Sequence, residues 1–157
     1  MPGMVWGKVL RSPHAHALIK KIDTSKAEAL QGVLAVMTGA DLPTLPLDVP
    51  LPTGPNDIRW ISRGCMAQEK ILYVGHPIAA VAATSQEIAI AALDLIEVDY
   101  EVLPHVIDVD EAVAPGAPIL HDWIKTEGID GPTNISNIMT VKTGDVEKGF
   151  GEADLVV

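Results

Sequence analysis

Apolar residues run unbroken from Ile78 to Ala83 (IAAVAA) behind a Gly75-His76-Pro77 turn, which predicts a strand covered on both faces and central in its sheet. Thr84 ends that run and is expected to cap a helix, with Glu87 three residues on to complete a capping box. Along the helix Ile88, Ala91, Ala92 and Leu95 recur at three- and four-residue spacing, a stripe that must lie against something apolar. From Ile96 the period changes to two. Ile96, Val98, Tyr100 and Val102 alternate with Glu97, Asp99 and Glu101, the pattern of a strand buried on one face only. Strand, helix and strand in about 25 residues make a crossover unit whose strands flank a neighbour or pair directly.

A shorter unit of the same kind occupies residues 17–38: Ala17 to Asp23 extended, a helix capped by Ser25 with Glu28 three residues on, Gly32 as the stop, and Val33 to Thr38 as the return strand. Val5 to Arg11 reads as a strand ahead of it, linked through the Ser12-Pro13-His14-Ala15-His16 turn. Prolines at 43, 46, 50, 52 and 55 rule out a regular ladder, so residues 43–57 are expected as a proline-rich loop. Downstream, 105–113 is read as a short strand and turn, 126–137 as loop, and 137–143 as a strand. Asp145 caps a short helix, and Leu155 begins another strand. The expected class is α+β: one mixed sheet with two strand-helix-strand units, helices packed on the sheet, in a single domain over 1–157.

Composition narrows the partners. The 157 residues are 48% apolar and 20% charged, an ordinary globular balance, and carry a net charge of −10. That charge repels phosphate backbones and anionic head groups, and six aromatic residues (three Trp, two Tyr, one Phe) leave few stacking platforms. Neither nucleic acid nor a membrane is an expected partner. The lone Cys65 has no intramolecular disulfide partner, and no signal peptide or membrane-length apolar run is present, so the expected location is cytoplasmic.

Candidate chemistry is sparse. No phosphate loop, dinucleotide fingerprint, C-x-x-C, nucleophile elbow or H-E-x-x-H stands in the chain. His14 and His16 flank Ala15 and would share a face in an extended segment, so with His76, His105 or His121 they could hold zinc, although solvated turn histidines are the favoured reading. Cys65 near Arg63 is either a reactive thiol or, the favoured reading, a small buried apolar residue. Asp94, Glu97, Asp99, Glu101, Asp108, Asp110 and Glu111 could bind calcium or form an acid/base pair. Their alternation with apolar residues fits a solvated strand face better. No catalytic, cofactor-binding or metal residue is assigned.

Segment identity goes further than pattern. Gly7 to Ala17 (GKVLRSPHAHA), 32–43 (GVLAVMTGADLP), 74–83 (VGHPIAAVAA), 98–104 (VDYEVLP) and 144–157 (GDVEKGFGEADLVV) resemble, in order, the N-terminal a/b hammerhead domain of the aldehyde oxidase and xanthine dehydrogenase family. The resemblance implies a structural domain of a molybdenum hydroxylase large subunit, here a piece cut at both ends. Such a domain scaffolds the molybdopterin domains and contacts an iron-sulfur partner. The family's reaction uses a molybdenum-bound hydroxide, with electrons leaving through [2Fe-2S] clusters and FAD. The cofactor segments and the glutamate base lie C-terminal to this domain in the family, so no catalytic residue is carried over and no cofactor is expected in this chain. His76 stands where many relatives have glutamine. An oligomer formed through cut edges and a stand-alone, non-catalytic interaction module are the other expectations.

Overall fold

The structure is a computed structural model that describes residues 3–42, 58–122 and 126–156, with backbone alone for 58–61. The proline-rich 43–57 segment lies outside the described residues. In chain order the strands are β1 (Trp6–Arg11), β2 (Ala17–Asp23), β3 (Val33–Thr38), β4 (Lys70–Ile71), β5 (Pro77–Ala83) and β6 (Glu97–Val102). The helices are α1 (Ser25–Glu28), α2 (Ile58–Cys65), α3 (Gln86–Leu93), α4 (Val109–Ala112) and α5 (Val146–Glu152).

The α+β class holds, but the single mixed sheet is replaced by two three-stranded antiparallel sheets, β1-β5-β3 and β4-β2-β6. Each crossover unit carries the chain from one sheet to the other: α1 leads from β2 to β3, and α3 from β5 to β6. Helix length explains this. A parallel return needs a helix that runs back along the strand, and at about 1.5 Å per residue neither helix covers a strand rising about 3.3 Å per residue. The four residues of α1 and eight of α3 each follow a strand of seven. β5 is central in its sheet, as its apolar run requires.

Ala27, Ala79, Val81, Ala92 and Ile96 form one buried cluster, and Ala17, Ala67, Ile71 and Ile78 form a second. Ile22 and Val98 pack against both, so the two sheets share one interior. The buried face of α3 is Ala89 and Ala92; Ala91, expected on that face, is exposed. The cap is Ser85, one residue later than expected, and its hydroxyl accepts from the Ile88 N–H. The shift has a cause: the Thr84 N–H donates to the Gly32 carbonyl, which holds Thr84 in line with the sheet. Gly32 has φ of +96° at this junction, a left-handed conformation that suits glycine. Ser85→Ala is therefore expected to cost about 1 kcal/mol in urea unfolding, and Thr84→Ala less.

α1 also departs from expectation. Its N-cap is Thr24, without a side-chain cap bond, while Thr24 donates to Glu28 and Asp23 receives both the N–H and the O–H of Ser25. Ser25 and Lys21 together hold the Asp23 carboxyl below the usual carboxylate range.

Beyond β6, residues 105–113 form α4, capped by Asp108, in place of a strand. Residues 137–143 alternate in sequence yet form no strand: no described edge pairs with them, and Ile138, Met139 and Val141 are all exposed. Leu155 and Val156 are likewise outside any strand. Asp145 does cap α5, accepting from the Lys148 N–H. Asn134 ties this region together, donating to the Ala112 and Pro118 carbonyls and accepting from the Leu120 N–H.

Candidate functional site

The most tightly organised polar cluster closes the base of the 43–57 segment. A helix leaves its last carbonyls without intrahelical partners, and α2 has two of them satisfied by side chains from the turn that leads into β5. His76 Nδ1 accepts from the Leu72 N–H at 3.2 Å, which leaves the proton on Nε2 to donate to the Arg63 carbonyl at 2.8 Å. The Tyr73 hydroxyl donates to the Gly64 carbonyl at 2.9 Å, and its ring stacks on His76 with centroids 4.4 Å apart. His76 is fully buried. Burial pushes its pKa below the ordinary histidine value, opposed by the Arg63 carbonyl, so the neutral ring is the native form.

Backbone bonds complete the closure. Ser12 donates to the His76 carbonyl and receives the Gly75 N–H, and the Ala67 N–H donates to the Pro77 carbonyl. The Arg11 guanidinium donates to the Gly75 carbonyl at 2.9 Å. On the other side, Thr38 and Asp41 form a capping box around a 3-10 turn at Gly39–Asp41. Gly39 there lies so close to Ala67 that a Cβ would stand 2.2 Å from the Ala67 carbonyl oxygen. The two ends of the segment thus meet at Gly39 and Ala67. Tyr73 and Gly39 went unassigned from sequence. The Y-x-G-H spacing was the available signal for the first, whereas the second depends on a partner 28 positions away and leaves none.

The histidines read as zinc candidates are engaged separately. His14 packs edge-on against Tyr100 at 4.9 Å, while His16 is buried, its Nδ1 2.6 Å from the Pro104 carbonyl and its Nε2 without a hydrogen-bond partner among the described residues. His121 has its pKa lowered by burial and by Lys70, opposed by Asp122. Among the described residues no group of three or more His, Cys, Asp or Glu side chains converges. His76, expected as a solvated turn residue, is a structural clamp.

Cys65 is exposed at the end of α2, a correction to the expectation of burial; the helix turns it outward while Met66 and Ala67 fill the interior. The acidic strand face is solvated and partly neutralised by its neighbours: Glu101 pairs with Lys20, Glu97 pairs with Lys26, and Asp99 stands opposite Lys21. Asp108 spends its carboxylate on capping α4. A surface cleft lined by His105, Val106, Ile107, Asp108 and Glu111 brings two acids together. Among the described residues, no helix is long and apolar enough to cross a membrane.

These features have close counterparts. The family model for the aldehyde oxidase and xanthine dehydrogenase a/b hammerhead domain matches residues 1–104, ending just past β6. The carbon monoxide dehydrogenase large chain of Afipia carboxidovorans is 42% identical over 162 aligned residues, covering 99% of this chain and 19% of that protein. A probable xanthine dehydrogenase polypeptide of Bacillus subtilis is 40% identical over 156 residues, covering 99% of this chain and 18% of that protein. The solved aldehyde oxidoreductase from Desulfovibrio gigas superposes with a TM-score of 0.67 at 28% identity, over 99% of this chain and 16% of that one. The chain spans less than a fifth of the length of each of these proteins. With its two sheets and connecting helices matched over the same span, the chain belongs to the aldehyde oxidase and xanthine dehydrogenase family, residues 1–104 forming its a/b hammerhead domain.

Proposed function

We propose that this chain works as a non-catalytic scaffold within a molybdopterin-dependent hydroxylase large subunit, supporting the domains that hold the molybdenum cofactor and touching an iron-sulfur partner that passes electrons to FAD. The observation that carries the reading is one of proportion: 99% of the chain aligns with the Afipia carboxidovorans large chain yet accounts for only 19% of it. Over four-fifths of such a protein therefore lies elsewhere, with room for the cofactor.

The chain's own residues do not fit the cofactor. Molybdopterin carries phosphate, which calls for backbone N–H cradles or Lys and Arg donors. The described cleft instead presents Asp108 and Glu111. The histidine clamp has both ring nitrogens committed to backbone, which supports a structural role over an acid/base one. A lone cysteine and a strongly acidic chain support a cytoplasmic location.

The test is a graft. When this chain replaces the matching segment of the Afipia carboxidovorans large chain, the chimera is expected to retain molybdenum and to oxidise the parent's substrate. A chimera that folds but carries no molybdenum would refute the scaffold reading.

A further inference from the structure

The sheet β1-β5-β3 has two faces of different character. Cross-strand partners share a face, and on one side Leu10, Ala79 and Thr38 line up, as do Lys8, Val81 and Val36. Ala79 and Val81 belong to the buried cluster beneath α1 and α3. On the other side stand the rows Val9, Ala80, Met37 and Gly7, Ala82, Ala35. None of these six carries a charge or a hydrogen-bonding side chain, and Val9 and Met37 are 40% and 39% exposed. The second sheet differs: its acids are exposed and matched by lysines. An uncharged face of small residues is suited to contact, whereas the charged face is suited to water.

Area and charge identify what covers it. Three strands about 4.8 Å apart and about six residues long at about 3.3 Å each present about 280 Å². A free partner needs about 800 Å² per side, and a second copy would also bring its own net charge of −10 against this one. A surface too small to hold a free partner can still hold a covalently linked one, because linkage raises the effective concentration. The relatives supply that linked polypeptide, since over four-fifths of their length lies outside the matched segment.

We propose that the Gly7, Val9, Ala35, Met37, Ala80 and Ala82 face is the seat of another domain of the same large subunit, which lays apolar side chains into the shallow Gly/Ala rows. The assignment rests on the scaffold reading above and specifies where the contact is made.

Met37 is a built-in reporter, because contact shields a thioether from peroxide. The experiment follows Met37 sulfoxide by peptide mass spectrometry in the 157-residue chain and in the grafted large chain, with free methionine in each tube as reference. Oxidation is expected to slow about tenfold in the grafted protein and to be independent of concentration in the short chain. A folded, molybdenum-bearing graft whose Met37 oxidises as fast as in the short chain overturns the assignment and leaves the scaffold reading intact. Protection that grows with the short chain's concentration gives the face to a second copy and overturns it as well. A graft that folds without molybdenum removes the scaffold reading, and the assignment falls with it. As an independent check, Ala82→Glu is expected to leave the short chain folded by circular dichroism but to leave Met37 unprotected in the graft. Full protection in that variant also overturns the proposal.

Discussion

Replacing His76 with leucine is expected to lower the stability of the chain by about 3 kcal/mol, since a buried N–H and a buried carbonyl each lose their partner. Those groups are the Leu72 N–H and the Arg63 carbonyl, both satisfied by one ring. Leucine occupies the space but supplies neither donor nor acceptor. Glutamine, which many relatives carry at this position, offers one of each, so His76→Gln is expected to cost about 1 kcal/mol, including the lost stacking on Tyr73. The pair also separates by pH. Burial lowers the His76 pKa in the fold, so the unfolded chain takes the proton more readily. The associated stability is complete above the ordinary value of 6.5 and is lost as pH falls below it towards the depressed native pKa. His121 is shifted the same way, so the glutamine variant keeps part of the acid limb and loses the share due to His76. Urea midpoints at about pH 7.5 and about pH 5.5 measure the difference; an unchanged acid limb in His76→Gln would count against the clamp.

Gly39→Ala is expected to cost about 3 kcal/mol, the upper range for forcing an atom into a filled site. The nearest atoms to the new Cβ are backbone, the Ala67 carbonyl oxygen at 2.2 Å and its carbon at 2.8 Å, and backbone cannot rotate aside as a side chain can. The φ of Gly39 is not left-handed, so the cost comes from contact alone. Gly64, in α2, is the control: a Cβ there meets nothing within 4 Å. Gly64→Ala is expected to raise stability by about 0.5–1 kcal/mol through helix propensity. Equal midpoint shifts for the two variants would mean that the ends of the 43–57 segment are not held where Gly39 and Ala67 place them.

Local pattern reached as far as each element's own chemistry. The unbroken IAAVAA run located β5 and its central place, because a strand covered on both faces has no polar side to offer. The period-two stretch after Ile96 located β6, and Asp145 located α5, because strand alternation and capping are determined within a few residues. What pattern missed depended on distant partners. Thr84 satisfies the capping rule as well as Ser85 does, and the bond from its N–H to Gly32 decides between them. Ala91 and Ala89 are chemically identical, so which one faces inward follows from how α3 lies on the sheet. Residues 137–143 alternate as a strand does but pair with no described edge. The division into two sheets follows from the shortness of α1 and α3, which the boundaries would have shown had they been known. At the candidate site, His76 was visible as a residue of interest while its role was not, because its partners, Arg63 and Leu72, offer backbone atoms common to every residue. Family identity, carried by ordered segments and not by composition, was legible from the start.

The most direct test of the scaffold account is elemental analysis of the purified 157-residue chain, produced in a host that makes the molybdenum cofactor, together with dye reduction in the presence of aldehydes, purines or carbon monoxide. The account predicts a folded chain without molybdenum and without turnover. Stoichiometric molybdenum, or turnover that tracks this chain through purification, would contradict it.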